Sequence, residues 1–174
     1  MKNNQKEIYL AGGCFWGVEG YFQKVDGIVE TTVGYANGTK ENPSYEDTCS
    51  GEFGFVEVAH VVFGSEQLSV EELLMHFLRI VDPYSVNRQG NDVGLQYRSG
   101  IYYADEALGE EVKQTIQRAP HAEDFVIEIE PLNNFYAAEE YHQDYLIKNP
   151  TGYCHVNLAT ANDPLPSSIE HFEK

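Results

Sequence analysis

The order of hydrophobic patterns along the chain limits the folds that it can adopt. The apolar run Ile8–Leu10 ends at two glycines, after which apolar side chains recur at helical spacing, at Phe15, Trp16, Val18 and Phe22. This pattern predicts a strand, a tight turn and a helix. Two runs rich in β-branched residues, Ile28–Tyr35 and Val56–Phe63, predict the next two strands, with a turn-rich stretch at Ala36–Pro43 between them.

A second helix and a fourth strand follow in the pattern. Ser69 and Glu72 have the spacing of a capping box, which predicts a helix that ends near Val81. Glycine and proline in Asp82–Arg98 predict a long surface loop, and such loops are often functional. Ser99–Tyr103 predicts a strand. Because strand, helix, strand, strand, helix, strand is the order of a ferredoxin-like unit, we expect an α+β two-layer sandwich with this βαββαβ core.

The rest of the chain is expected to elaborate this core. Asp105 is a candidate cap for a helix, and the alternation over Phe125–Ile129 predicts a further strand. A short helix is predicted around Ala138–Leu146, before a long loop-like C-terminal tail rich in proline and glycine. We expect one domain over residues 1–174, with its catalytic core at about 7–147 and a tail at 148–174.

Charge and composition argue against several classes of partner. The 28 acidic and 11 basic residues give a net charge of -17, which repels polyphosphate, so nucleic acid is not an expected partner. Charged residues interrupt every apolar stretch well short of the roughly 20 residues that a bilayer requires. Three cysteines fit a secreted disulfide framework poorly, and the N-terminus lacks a hydrophobic signal region. We expect a cytoplasmic monomer that does not bind membranes.

Cys14 is the leading candidate for a reactive residue. It lies where the glycine turn enters a helix, and the unpaired N–H groups there favour an anion, so we expect the pKa of its thiol to be lowered. The thiolate is the nucleophilic form of cysteine. A small buried residue at a tight turn is an equally good interpretation of the position alone. Phe15 and Trp16 suit either a helix core or an apolar wall for a small alkyl or thioether group.

Glu57 is unusual within its strand. Alternation places it on the same face as Ala59, Val61 and Phe63, where a carboxylate is costly unless it is protonated or paired. A raised pKa would make it a general acid near neutral pH, whereas solvation at the end of the strand is the alternative. Tyr45 and Tyr97 lie in predicted loops and are candidate hydrogen-bond donors to a reacting oxygen, or else ordinary half-buried rings.

The remaining candidates are less distinctive. Asp92 is by default a turn residue that caps local N–H groups. Cys154 lies in the tail, which would let a resolving thiol reach a first thiol, although a tail cysteine is often incidental. Cys49 has no supporting pattern. Because the histidines lack ligand-like spacing and no nucleotide-binding glycine motif occurs, we expect no metal and no other bound cofactor.

Several short motifs occur in one order over about residues 7–158. They are Gly13-Cys14-Phe15-Trp16-Gly17, Val33-Gly34-Tyr35, Asn42-Pro43-Ser44-Tyr45, Asn87–Gly94, Gln96–Ser99, Glu140–Gln143 and Asn149-Pro150. Together they resemble the A-type peptide methionine sulfoxide reductases, and the first of them combined with Asn87–Gly94 and Gln96–Ser99 is highly specific. The resemblance implies reduction of the S epimer of methionine sulfoxide, free or in proteins, and hence repair after oxidative damage.

The resemblance also implies roles for particular residues. Cys14 matches the nucleophile, which ends as a sulfenic acid, and Glu57 matches the acid that protonates the sulfoxide oxygen. Cys154 matches the resolving cysteine, whose disulfide with Cys14 is reduced by thioredoxin. The residues that match the substrate site are Phe15 and Trp16 for the S-methyl group, Tyr45 and Tyr97 for the oxygen, and Asp92 as a supporting polar group.

The chain departs from the family pattern at two places. Phe55 stands where many members have histidine, which casts little doubt on the chemistry. The tail lacks the further recycling cysteine that many members carry, so the Cys14–Cys154 disulfide would itself have to meet the reductant. No fused domain for the opposite epimer is present in the sequence, which restricts the expected activity to the S epimer.

Two functions of other classes compete with this interpretation. One is a cysteine hydrolase or amidotransferase that uses Cys14 with His142 or His60 as base. The other is a non-catalytic acidic module that binds peptides through its tyrosines. The hydrolase requires a histidine beside the thiol, and the binding module requires no thiol.

Overall fold

The computed structural model describes residues 2–173, which form a mixed sheet covered by helices. The strands of the described chain are β1 (Gln5–Ala11), β2 (Ile28–Ala36), β3 (Val56–Gly64), β4 (Arg88–Gln89), β5 (Asp92–Val93), β6 (Gly100–Tyr103), β7 (Glu128–Pro131) and β8 (Phe135–Ala137). Its α-helices are α1 (Phe15–Phe22), α2 (Tyr45–Cys49), α3 (Val70–Ile80), α4 (Glu106–Gln117) and α5 (Tyr145–Lys148).

The sheet has the topology that the element order predicts. Its strand order is β7-β6-β1-β3-β2-β8, and the four strands β6-β1-β3-β2 pair antiparallel throughout. With α1 between β1 and β2, and α3 between β3 and β6, they form a βαββαβ unit. The expected α+β sandwich with a ferredoxin-like core is therefore confirmed. β7 extends it parallel to β6 after α4, and β8 extends it antiparallel to β2.

The main core lies between one face of the sheet and the helices. Leu73, Leu74 and Phe77 of α3 are fully buried there, as the capping box and apolar spacing of this helix predict. Each such side chain contributes about 1.5–3 kcal/mol through burial. Met75 of the same helix is 2% exposed. The opposite face carries a smaller cluster that includes Tyr9, whose ring stacks on that of His60 at 4.4 Å between centroids.

Two predicted elements are displaced in the structure. The strand expected over Phe125–Ile129 begins later, because its parallel ladder with β6 starts at the pair Gly100 and Glu128. The prediction of a helix over Ala138–Leu146 is wrong, since only a 3-10 turn and the start of the short helix α5 form there. The Gln143 amide instead bonds the N–H and C=O of Val33 on β2 at 2.9 Å each, which holds this backbone against the sheet.

The predicted loop and tail connect the sheet to the site. The loop Asp82–Arg98 is ordered by the small hairpin of β4 and β5 and by a 3-10 turn. As far as the structure describes it, the tail is a loop with two 3-10 turns, as predicted in outline. The Arg79 guanidinium of α3 holds it by donating to the carbonyls of Thr160, Asp163 and Pro164 at 2.6–3.2 Å.

Candidate active site

Cys14 occupies the turn between β1 and α1. Gly13 before it has a φ of +85°, and a Cβ there would lie 2.7 Å from the Cβ of Gln89, so both the turn and the close packing require glycine. Cys14 is the N-cap residue of α1 and is 8% exposed. The backbone N–H groups of Trp16 and Gly17 point at its thiol, as the sequence predicts for a helix N-terminus.

The ionisation of Cys14 differs from the expectation. Burial raises the pKa of its thiol, and the carboxylate charge of Glu57 raises it further. The N–H groups of Trp16 and Gly17 lower this pKa but do not outweigh the loss of hydration. The prediction of a lowered pKa is therefore wrong for this structure, in which the side chain of Cys14 is a neutral thiol at neutral pH.

Glu57 lies beside this turn, inside the protein. It is 1% exposed, and the residues that share its face of β3, Ala59, Val61 and Phe63, belong to the main core. Its Oε1 accepts a hydrogen bond of 3.1 Å from the N–H of Phe15, while its Oε2 is buried without a hydrogen-bond partner. Burial raises the pKa of this carboxyl to about 8, as the sequence predicts. Glu57 is mostly protonated at neutral pH, and its neutral form no longer repels a thiolate at Cys14.

Tyr45 and Tyr97 bring two half-buried hydroxyl groups to the same place. The two hydroxyls hydrogen-bond to each other, and burial raises the pKa of both. The charge of Glu57 acts on both rings, and that of Cys14 acts on Tyr97. Tyr45 is the first residue of α2, where its N–H donates to Oε2 of Glu139 at 3.2 Å. Both hydroxyls therefore stay protonated and able to donate hydrogen bonds at neutral pH.

Aromatic side chains flank the cysteine on the helix side. Phe15 is buried in the main core, whereas Trp16 is partly exposed. The Trp16 ring stacks on Tyr145 at 3.7 Å between centroids, and its Nε1 donates to Nδ1 of His142 at 3.0 Å. The His142 ring also contacts Phe15 and Tyr45, at 5.2 and 5.0 Å. Phe15 is thus part of the core, while the partly exposed Trp16 is the aromatic surface that remains near Cys14 along the chain.

Asp92 reaches this site from the loop, although not in the role expected of it. The expectation that it caps local N–H groups is wrong, because its Oδ1 instead accepts a hydrogen bond of 2.9 Å from the Tyr153 hydroxyl. Its charge raises the pKa of Cys14, Glu57 and Cys154. Asp92 is therefore close enough for its charge to act on the buried thiol of Cys14 and on Cys154 of the tail.

Cys154 is a free, half-buried thiol next to Tyr153. Its Sγ donates to the carbonyl of Val156 at 3.1 Å, and burial raises its pKa. Cys14 and Cys49 are also free thiols, and Cys49 is exposed. Cys49 hydrogen-bonds to Tyr45, a contact that no sequence pattern indicated.

No hydrogen bond joins a histidine to the Cys14 thiol in the described part of the chain. His60 stacks on Tyr9 and interacts with Glu7 at 3.1 Å on the opposite face of the sheet. His142 uses its Nδ1 to accept from Trp16. The contacts of His142 with Trp16 and Phe15 were not predicted from the sequence, although the Glu140–Gln143 motif lies close to Tyr145.

Other features carry no chemistry at this site. The exposed side chains of His121, Glu123 and Asp124 have potential metal-ligand atoms within 4.8 Å of one another, but they lie between α4 and β7. Among the described residues, none of the helices has the length and apolar character to cross a membrane.

Comparison with known proteins gives a single result. A family model described as peptide methionine sulfoxide reductase matches residues 6–172. The peptide methionine sulfoxide reductase MsrA of Alkaliphilus metalliredigens is 56% identical over 155 residues, which cover 88% of this chain and 98% of that protein.

Solved structures agree with this match. Mxr1 from Saccharomyces cerevisiae in reduced form has a TM-score of 0.81 and 42% identity, over 90% of this chain and 93% of that chain. Mxr1 in complex with Trx2 is also similar, with a TM-score of 0.56 and 32% identity over 83% of this chain and 87% of that chain. The chain belongs to the peptide methionine sulfoxide reductase family.

Proposed function

We propose that this protein reduces the S epimer of methionine sulfoxide, free or in proteins, to methionine and so repairs oxidised proteins. The observation that carries the proposal is the buried carboxyl of Glu57, protonated at neutral pH and located beside the Cys14 turn. A sulfoxide oxygen is a poor leaving group until it is protonated, so the reaction requires an acid and a sulfur nucleophile together. Relatives named peptide methionine sulfoxide reductase support the same substrate.

The first step transfers oxygen from the substrate to Cys14. The Cys14 sulfur forms a bond to the sulfoxide sulfur while Glu57 gives its proton to the oxygen. The oxygen then moves to Cys14 as the bond between the two sulfur atoms breaks, and the thiol proton of Cys14 restores Glu57. Cys14 is oxidised to a sulfenic acid, and the sulfoxide is reduced to methionine.

In this proposal four side chains orient the substrate, and the carboxylate of a fifth supports the site. Phe15 and Trp16 receive the S-methyl group, because apolar aromatic surface suits a thioether. The hydroxyls of Tyr45 and Tyr97 donate hydrogen bonds to the oxygen as its negative charge grows. Asp92 supports the site as a polar group whose charge acts on Cys14 and Glu57.

The second step regenerates the enzyme. The Cys154 thiol attacks the sulfenic sulfur of Cys14, so that a disulfide forms, the S–O bond breaks and water leaves with the Cys154 proton. A thioredoxin then reduces the disulfide with its two thiols. The complex of Mxr1 with Trx2 supports a thioredoxin as the reductant. No bound cofactor is required, since both electrons come from thiols.

One experiment tests this proposal against the hydrolase and the binding module. The reduced protein is mixed with methionine sulfoxide without reductant, and products are identified by mass spectrometry. We expect one methionine per protein and a Cys14–Cys154 disulfide. A hydrolase would form an acyl-enzyme from an ester or amide instead, and a binding module would leave all three thiols reduced.

Cys154→Ser tests the second step separately. We expect one methionine to be released and the sulfenic acid to remain on Cys14, where dimedone traps it. Continued turnover with thioredoxin at the normal rate would assign the resolving role to Cys49.

A further inference from the structure

The side chain of His155 fits between the two glycines of the Gly13-Cys14-Phe15-Trp16-Gly17 motif. A Cβ on Gly13 would lie 2.8 Å from its Nε2, and a Cβ on Gly17 would lie 2.9 Å from its Cε1. Any larger residue at either position would displace the imidazole, whose side chain is 5% exposed. The turn that carries Cys14 therefore provides a fitted site for the residue that follows Cys154.

A hydrogen bond fixes the imidazole in this site. Nε2 of His155 lies 2.7 Å from the carbonyl oxygen of Gly12, and because a carbonyl only accepts, Nε2 is the donor. Nδ1 then faces Oδ2 of Asp92 at 3.7 Å, and both atoms are buried without hydrogen-bond partners. The ring thus contacts the turn after β1 through Gly12 and lies beside Asp92 of the loop.

Tyr153, on the other side of Cys154, is attached to the same loop. Its hydroxyl donates to Oδ1 of Asp92 at 2.9 Å. The Tyr153 side chain is 44% exposed, so its bond competes with water, whereas the bond from His155 is made in the protein interior. Of the two residues that flank Cys154, His155 makes the stronger attachment to the Cys14 turn.

We propose that His155 is a positioning residue that docks the tail on the Cys14 turn and so keeps the Cys154 thiol close to Cys14 for disulfide formation. The inference rests on the proposed function, in which Cys154 resolves the sulfenic acid. A thiol held near its target reacts at a high effective concentration, and a tail free to move loses this advantage. His155 touches neither sulfur in the bond-forming step. It acts only by where it holds its neighbour.

The proposal separates the two steps of the reaction. Oxygen transfer to Cys14 uses Glu57 and the two tyrosines and does not require the tail. Formation of the disulfide requires Cys154 to meet the sulfenic sulfur of Cys14, with loss of water. Loss of the docking contact should therefore slow the second step and leave the first unchanged.

Two replacements of similar size test the contact in the full-length protein. His155→Leu fills the space without a donor, whereas His155→Gln retains an N–H that is able to reach the Gly12 carbonyl. The reduced variants receive one equivalent of methionine sulfoxide without reductant. Methionine release is followed by chromatography, disulfide formation by the loss of two titratable thiols, and the sulfenic acid by its dimedone adduct.

We expect methionine release from both variants within about twofold of the normal rate. Disulfide formation should be slowed about tenfold or more in His155→Leu, which corresponds to about 1.4 kcal/mol, with accumulation of the sulfenic acid. In His155→Gln it should recover to within about threefold of normal, because the donor to Gly12 is restored. His171→Ala, which removes an exposed histidine elsewhere in the tail, should behave as the unmodified protein.

Three results would overturn the positioning role. They are disulfide formation at the normal rate in His155→Leu, equal rates in the Leu and Gln variants, or an equal slowing of methionine release and disulfide formation. Failure of the proposed function has a different signature, because the unmodified protein would then release no methionine and keep all three thiols reduced. A disulfide in Cys154→Ser would instead assign the resolving role to Cys49. If His155→Leu does not fold, His155→Ala, which removes the donor to Gly12 without filling the space, is compared with His155→Gln instead. Equal rates of disulfide formation in these two variants would overturn the positioning role.

Discussion

At the scale of single residues, the site depends on two groups whose ionisation the protein interior controls. Cys14 is a neutral thiol and Glu57 a neutral acid, so neither of these two groups is charged before the substrate arrives. A thiolate needs to form only as the substrate oxygen takes the proton of Glu57. The two shifts are coupled, because the Glu57 carboxylate is one cause of the raised pKa of Cys14.

Replacement of the nucleophile should stop the first step. We expect Cys14→Ser to abolish methionine release, because a hydroxyl without an adjacent strong base is a far weaker nucleophile and forms no sulfenic acid. Single-turnover release of methionine measures this, with Cys154→Ser as a comparison that should retain the first turnover. Release from Cys14→Ser near the normal rate would remove Cys14 from the mechanism.

Replacement of the acid should slow the same step without stopping it. Glu57→Gln keeps the shape and the bond from Phe15 but loses the transferable proton, so methionine release should fall about 10²–10⁴-fold. The normal rate should decline as pH rises above about 8, where Glu57 loses its proton, and the variant should lack this decline. Glu52→Gln, at an exposed position, is the matched control. A variant as fast as its control from pH 5 to 9 would assign the acid to another group.

The sequence predicted part of this site and missed the rest for physical reasons. The position of Glu57 on an apolar strand face allowed two interpretations, and the structure shows the one with a buried carboxyl and a raised pKa. The direction of the shift at Cys14 was not predictable, because it depends on how completely the folded protein excludes water from the thiol. His155 was missed because its role depends on contacts with Gly12 and Gly13, which lie more than a hundred positions away.

At the scale of secondary structure, long periodic elements were predictable and short ones were not. Apolar residues recur regularly enough in β1, β3 and α3 for these elements to be predicted from the sequence. β8 has three residues and forms because β2 offers it an antiparallel edge. α2 has five residues, and its capping box of Ser44 and Asp47 was a local signal that could have identified it.

The cap of α2 leads to a prediction for which the equivalent cap of α3 is the control. The Ser44 side chain accepts from the Asp47 N–H and so fixes the first turn of α2, which begins with Tyr45. Ser44→Ala should cost about 1 kcal/mol of stability and slow methionine release several-fold, as Tyr45 loses its fixed position. Ser69→Ala removes the equivalent cap of α3 and should destabilise similarly without slowing release. Denaturant melts and single-turnover assays compare them, and equal effects on release would separate Tyr45 from the chemistry.

At the scale of the whole molecule, burial of Glu57 provides an acid and should lower the free energy of unfolding at neutral pH. Its pKa is about 8 in the folded protein against 4.5 as the ordinary value, so the folded state binds the proton more tightly. The stability contributed by that proton is complete below about pH 4.5 and is lost as pH rises to about 8.

Single-domain organisation of residues 1–174 and a cytoplasmic location stay predictions.

Glu57→Gln should therefore stabilise the protein while it slows catalysis. The glutamine side chain does not titrate, so we expect the variant to be more stable by about 3 kcal/mol at pH 7, with the difference vanishing near pH 4. Urea unfolding at several pH values measures this, and Glu52→Gln provides the exposed comparison. A stability difference that does not change between pH 4 and 8 would contradict a neutral, buried Glu57.

The burial of Met75 has a consequence for an enzyme of this kind. A protein that repairs oxidised methionine works where oxidants are present, and an exposed methionine of its own would make one copy a substrate for the next. The sequence has two methionines, and the one that the structure describes is 2% exposed. At Cys14 and Cys154, by contrast, oxidation is a step of the proposed cycle that the reductant reverses. The enzyme is thus shielded at Met75 from the damage it removes from other proteins.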